Sequence, residues 1–119
     1  MKFYDSKTAP SPRRVRIFIA EKGLDIETVD IDMRKGEQLS DEFRAINPNC
    51  TVPVLELDDG NRLLTTAGIW QYLEAIHPEP ALMGATALEK GLIADIRWQI
   101  EFSGSMGMAE ALRNTVPGM

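Results

Sequence analysis

The chain has one cysteine, Cys50, so it can form no intrachain disulfide, and it has no Cys-x-x-Cys pair. The first absence fits a reducing compartment. The second argues against a thiol-disulfide oxidoreductase working through Cys50. It has one histidine, His77, and no cluster of His, Cys, Asp or Glu at ligand spacing, so no metal is expected. No apolar run approaches the roughly 20 residues that span a bilayer, and the opening Met1-Lys2-Phe3-Tyr4-Asp5 lacks the apolar core of a signal peptide. Basic residues are in deficit, 13 against 18 acidic, for a net charge of −5, and only Arg13-Arg14 and Arg16 gather. Neutralising a phosphate backbone is therefore disfavoured, and neither nucleic acid nor membrane is expected as a partner. Internal repeats and low-complexity tracts are also missing. What is present is ordinary: 119 residues, 44% hydrophobic and 26% charged, the size and balance of a cytoplasmic domain able to bury a core.

The stretch Asn47-Pro48-Asn49-Cys50-Thr51-Val52-Pro53-Val54-Leu55 organises the rest. Pro53 stands one residue into what otherwise reads as a buried strand, 52–57. Proline has no N–H and is confined within sheets to edges, first positions or bulges. Two readings fit: a trans proline that starts an edge strand, or a cis Val52-Pro53 bond. Before proline the cis form costs only about 0.5–1 kcal/mol. The cis reading turns the N–H and C=O of Val52 away from the ladder, free to pair with an extended peptide.

In chain order, residues 2–4 form a first strand and lead into a loop dense in turn formers, 5–12. Ser11 before Pro12 reads as an N-cap followed by a first helical residue. That helix carries Val15, Phe18 and Ile19 on one face and stops at Glu21-Lys22-Gly23. Residues 26–33 alternate as a half-buried strand. Leu39, Phe43 and Ile46 stripe a second helix over 40–46. After the proline strand, Asp58-Asp59-Gly60-Asn61 signals a hairpin into a strand at 62–64. Thr65 or Thr66 caps a third helix striped by Ile69, Tyr72, Leu73 and Ile76, and His77 before Pro78 closes it as a C-terminal cap. Thr86 and Glu89 form a capping box for a helix carrying Leu88, Leu92, Ile96 and Ile100. Ser103-Gly104-Ser105 and Gly107 weaken or end that helix. Residues 109–112 resume it before Val116-Pro117-Gly118-Met119.

The order β-α-β-α-β-β-α followed by helix alone predicts an α/β fold: a mixed four-stranded sheet on the thioredoxin-like plan, then the beginning of an all-α domain. Four segments now carry a family resemblance. They are Tyr4-Asp5-Ser6, Ser11-Pro12-Arg13-Arg14-Val15-Arg16-Ile17 through Gly23, the Asn47-to-Leu55 block, and Ile69-Trp70-Gln71-Tyr72-Leu73-Glu74 with His77-Pro78. In this order and spacing the chain resembles a bacterial cytosolic glutathione transferase. The resemblance implies a glutathione-binding domain over 1–78, a linker over 79–85 and the start of a helical domain over 86–119. That helical domain normally continues further, so the chain resembles the front half of such a protein.

The resemblance implies glutathione as co-substrate, a small electrophile as second substrate, and a homodimer. It also implies a residue that lowers the pKa of the glutathione thiol, which is about 8.5 when free. Ser11 is the first candidate, as a hydroxyl at a helix N-terminus; the bland alternative is that it only caps the helix. Thr8, Ser6 and Tyr4 are alternates, and Tyr4 also reads as a strand aromatic. Arg13 reads as a solvated or dimer-facing charge. Val52 beside Pro53, with Thr51 before it, is implied to pair its backbone with the cysteinyl part of glutathione. At the turn into the third helix the family commonly has an acidic residue and then a serine, which hold the γ-glutamyl ammonium and carboxylate. Thr65 and Thr66 stand there, keeping a hydroxyl and losing the acid. Cys50 and Thr51 replace the family's usual glycine and its following lysine or glutamine. Cys50 is read as a small apolar residue or a redox-active thiol, and Trp70 and Trp98 as packing residues or pocket borders. A non-catalytic glutathione-binding or interaction module is the alternative to an enzyme.

Overall fold

A computed structural model describes residues 1–115; the expected tail 116–119 lies outside the described residues. The chain divides into two compact units, Met1–Pro80 and Ala81–Met119. In the first, β1 (Lys2–Asp5), α1 (Pro10–Glu21), β2 (Glu27–Asp30), α2 (Asp41–Ile46), β3 (Val54–Glu56), β4 (Arg62–Leu63) and α3 (Thr66–Ile76) follow the expected order. The sheet order is β2-β1-β3-β4, with β2 parallel to β1 and the other two pairings antiparallel. Successive side chains on a strand face opposite ways. Tyr4 and Val54 therefore join Ile31, Phe43 of α2 and Val52 in one buried cluster. Phe3 and Leu55 face the other side, that of α1 and α3, where Val15, Ile69 and Leu73 are fully buried.

Helix α1 starts earlier than expected. Its N-cap is Ala9, not Ser11, and no side chain caps it. The cause is Pro10: a residue before proline is driven to extended backbone, and Ala9 has φ −80° and ψ 138°. Pro10 and Pro12 both fit in the first turn, whose N–H groups have no intrahelical partner to lose. The other end is a Schellman motif: Gly23 (φ +64°) and Leu24 donate to the carbonyls of Ala20 (2.9 Å) and Ile19 (3.1 Å).

The strand expected over 26–33 stops at Asp30. Asp32 folds its carboxylate onto the N–H groups of Arg34 (3.0 Å) and Lys35 (3.3 Å), a local turn that outcompetes the ladder. Leu39 drops out of the α2 stripe because it lies in a 3-10 turn, Glu37–Leu39, and is exposed; Ser40 caps α2 by accepting the Phe43 N–H at 3.2 Å. Thr65 caps α3 by accepting the Gly68 N–H at 3.0 Å. Ile76 of the α3 stripe is exposed, while Ile69 and Leu73 are buried. His77 closes α3, its N–H donating to Leu73 at 2.9 Å. Beneath that end lies Lys22, whose side chain is fully buried. Its Nζ donates to the carbonyls of His77 (2.6 Å) and Pro80 (2.5 Å) and pairs with Glu74 Oε2 at 2.6 Å.

The second unit contains α4 (Ala87–Gln99) and α5 (Met106–Thr115). Thr86 and Glu89 make the expected capping box. Glu89 accepts the N–H groups of Ala85 (2.9 Å) and Thr86 (3.0 Å), and its own N–H donates to the Thr86 hydroxyl at 3.2 Å. Ser103-Gly104-Ser105 does not end the helix. Residues Ile100–Ser105 widen into a π-helical stretch, and regular helix resumes at Met106.

Candidate functional site

The Val52–Pro53 bond is cis. The β1–β3 register begins at Val54, opposite Tyr4, so Val52 stands outside the ladder. Its side chain is held in the core cluster with Tyr4 and Phe43.

Two helix N-termini meet nearby. The Thr66 hydroxyl donates to the Ser11 carbonyl at 3.5 Å, tying the first turn of α3 to the first turn of α1. Neither first turn contains an acidic residue, whereas those of α2 and α4 do. The positive helix ends there favour an anion, though α1 offers few free N–H groups because Pro10 and Pro12 have none. Ser11 sits half-buried in the first turn of α1 and caps nothing, so its hydroxyl is not committed to the helix. Thr8 is exposed on the loop before it. Ser6 is buried, its N–H donating to Asp5 Oδ1 at 2.7 Å and its carbonyl accepting from Ala9 at 3.1 Å. Tyr4 is a core ring, edge-on to Phe43 at 6.1 Å. Thr65 gives its hydroxyl oxygen to the Gly68 N–H, and Thr66 is buried.

The loop that carries these hydroxyls is held by an ion pair that sequence reading missed. Arg16 of α1 reaches both carboxylate oxygens of the buried Asp5, at 2.6 and 2.7 Å, and the carbonyls of Ser6 (3.2 Å) and Lys7 (3.3 Å). Asn47 was also missed. It is fully buried, and its Nδ2 donates to the carbonyl (2.8 Å) and hydroxyl (3.0 Å) of the exposed Thr51. Cys50, between them, has a left-handed backbone, φ +55°, and its thiol lies 3.7 Å from the Pro48 carbonyl. The only hint in the sequence is indirect: a residue at a position the related family fills with glycine.

Arg13 is exposed, and Arg14 lies over the Trp70 ring at 5.8 Å, with Trp70 stacked on Phe18 at 5.9 Å. Trp98 is exposed and stacks on Phe102 at 5.5 Å. Among the described residues no group of three His, Cys, Asp or Glu is placed to hold a metal ion, and no helix is long and apolar enough to cross a membrane.

The family profile "Glutathione S-transferase, N-terminal domain" matches residues 8–76, more than half of the chain. The chain belongs to the glutathione S-transferase family. It is 38% identical to glutathione S-transferase 2 of Saccharomyces cerevisiae over 121 aligned positions, covering 100% of this chain and 52% of the yeast protein. Among solved structures, a glutathione S-transferase of class Gtt2 from Vibrio parahaemolyticus superposes with a TM-score of 0.83 at 35% identity, over 100% of this chain and 58% of that one. A glutathione transferase homologue from sulfitobacter, solved with bound glutathione, superposes with a TM-score of 0.80 at 26% identity, over 92% of this chain and 51% of that one. The chain thus spans about half the length of the curated glutathione S-transferase it matches end to end. Within the family's N-terminal domain lie the α1 and α3 first turns and the Val52–Pro53 corner, the three parts of the site described above.

Proposed function

We propose that this chain supplies the glutathione-binding half of a glutathione transferase, which holds glutathione, favours its thiolate and offers it to a small electrophile. The observation that carries the reading is the corner at Val52: a core-anchored residue outside the ladder, beside two acid-free helix N-termini. In this reading Val52 pairs its main chain with the cysteinyl segment, with Thr51 and Pro53 shaping the corner. Thr65, Thr66 and the α3 N-terminus receive the γ-glutamyl carboxylate, as helix N-termini favour anions. Ser11 donates to the thiolate, a role its uncapped position leaves open. Thr8 is the next candidate, and Ser6 and Tyr4 are disfavoured by burial. The assembly is a cytoplasmic homodimer.

A second reading, a glutathione-binding module without catalysis, is favoured by Thr65. It brings no charge to the γ-glutamyl ammonium, and its hydroxyl oxygen already serves Gly68. One titration series separates the two. Calorimetry gives glutathione affinity, and thiolate absorbance against pH gives activation. Ser11→Ala is expected to leave affinity nearly unchanged and to raise the bound thiol's pKa by about one to two units. That is the equivalent of a hydrogen bond to a charged group, about 1.5–3 kcal/mol. An unshifted pKa removes Ser11 from the mechanism and moves the search to Thr8. Binding with an ordinary thiol pKa in wild type favours the module, and no binding at millimolar glutathione rejects both.

A further inference from the structure

We propose that Asn47 is a positioning residue for glutathione binding, one that aims the Val52 N–H by holding the peptide unit in front of it. The inference rests on the glutathione-binding reading above and adds to it a residue that touches no ligand. Asn47 is fully buried, and each of its polar groups is engaged within its own loop or the end of α2. Its N–H donates to Phe43 (2.8 Å), and its carbonyl accepts from Cys50 (2.9 Å). Its Oδ1 accepts from Asn49 (3.0 Å), and its Nδ2 donates to the carbonyl and hydroxyl of Thr51.

The contact with the Thr51 carbonyl carries the argument. A trans peptide unit is planar, and its C=O and the following N–H point in opposite directions. Among the described residues only the Val52–Pro53 and Glu79–Pro80 bonds are cis, so the Thr51–Val52 unit is trans. An Nδ2 that pulls the Thr51 C=O inward therefore turns the Val52 N–H outward. The Val52 side chain is pinned in the core cluster, so the residue has an anchor on each side of that N–H. Simple loop closure would explain the bonds to Cys50 and Asn49. It does not require the amide to reach the peptide that precedes Val52.

Asn47→Asp tests this on the full chain. The aspartate keeps the shape and the acceptor for Asn49 but turns a carboxylate oxygen, in place of a donor, toward the Thr51 carbonyl. The expected result is a glutathione Kd raised at least about tenfold by calorimetry. In ligand-free protein labelled with [15N]valine, the Val52 amide resonance should move while that of Val15 stays. A merely structural role would lower the melting temperature and the fraction of competent protein, seen as stoichiometry, without moving Kd. An unchanged Kd in the folded variant overturns the inference and leaves the glutathione reading standing. If wild type itself fails to bind, the reading falls and takes the inference with it. Should Asn47→Asp not fold, Asn47→Ser carries the same expectations, since serine retains polarity but is too short to hold Thr51.

Discussion

The two units of this chain are stabilised by different means. In Met1–Pro80 the large apolar side chains are inside: Phe3, Leu55, Ile69 and Leu73 are each no more than 1% exposed. Its buried polar side chains are bonded: Asp5 to Arg16 of α1, Lys22 to the far end of α3, and Asn47 within its own loop. In the second unit, through Thr115, Leu88, Leu92, Ile96, Trp98 and Phe102 are all more than half exposed. What holds it locally is a capping box and helical backbone bonds. The lesson is that a well-capped helix and a packed helix are separate achievements. Most helical stability in proteins comes from burying a face, and only a smaller part from end chemistry.

The contrast is sharpest in the core. Leu73→Ala is expected to cost about 2–5 kcal/mol, the range for emptying a packed leucine site. Leu92→Ala, at a residue 52% exposed, should stay within about 0.5 kcal/mol. Chemical denaturation of both variants checks this, and similar losses would erase the distinction between the units.

Next in size is the charge pair. Removing Arg16 leaves the Asp5 carboxylate, 4% exposed, with only the Ser6 N–H. Breaking a buried pair costs about 3–5 kcal/mol, but Arg16 is 32% exposed. Arg16→Ala should therefore lose about 2–3 kcal/mol, and Arg113→Ala on exposed α5 almost nothing. Equal melting curves for the two variants would show that the pair does not hold the β1–α1 loop.

The smallest effect belongs to the second unit. Hydrogen bonds from the N–H groups of Thr86 and Ala85 hold the Glu89 carboxyl below the ordinary glutamate range. A depressed folded-state pKa means the contribution is complete above the unfolded value and is lost as pH falls through the lowered one. The amide resonances of Ala85 and Thr86 should titrate in that acidic window in wild type and lose this transition in Glu89→Gln. Identical acid curves in both would remove the capping box as a pH-sensitive element.

Much of this was readable in advance where the signal was local. Gly23, Thr65 and the Thr86–Glu89 pair end or begin helices where their chemistry says, and the hairpin at Gly60 (φ +85°) forms as written. The failures have local causes of their own. Pro10 imposed an earlier helix start than the serine signal at Ser11, and the Asp32 turn cut short an alternation that otherwise continued to Met33. The Val52 corner was legible because proline in a strand has few solutions. Its supports were not. Asp5 with Arg16, and Asn47 with Thr51, become partners only once the chain is folded, and no periodicity marks them. The exposed faces of Ile76 and α4 mislead for the same reason: an apolar stripe states a need for burial without naming what meets it.

Lys22 leaves a mark of a different kind. An ammonium has three hydrogens, and here the two carbonyls and the Glu74 carboxylate engage all three in a site with no side-chain exposure. Its amine is thereby withdrawn from solution chemistry, unlike those of Lys2, Lys7, Lys35 and Lys90. An acylating reagent meets four lysines on the native chain and the fifth only after the first unit opens. The molecule thus carries its own covalent gauge of unfolding, readable by mass at a single residue.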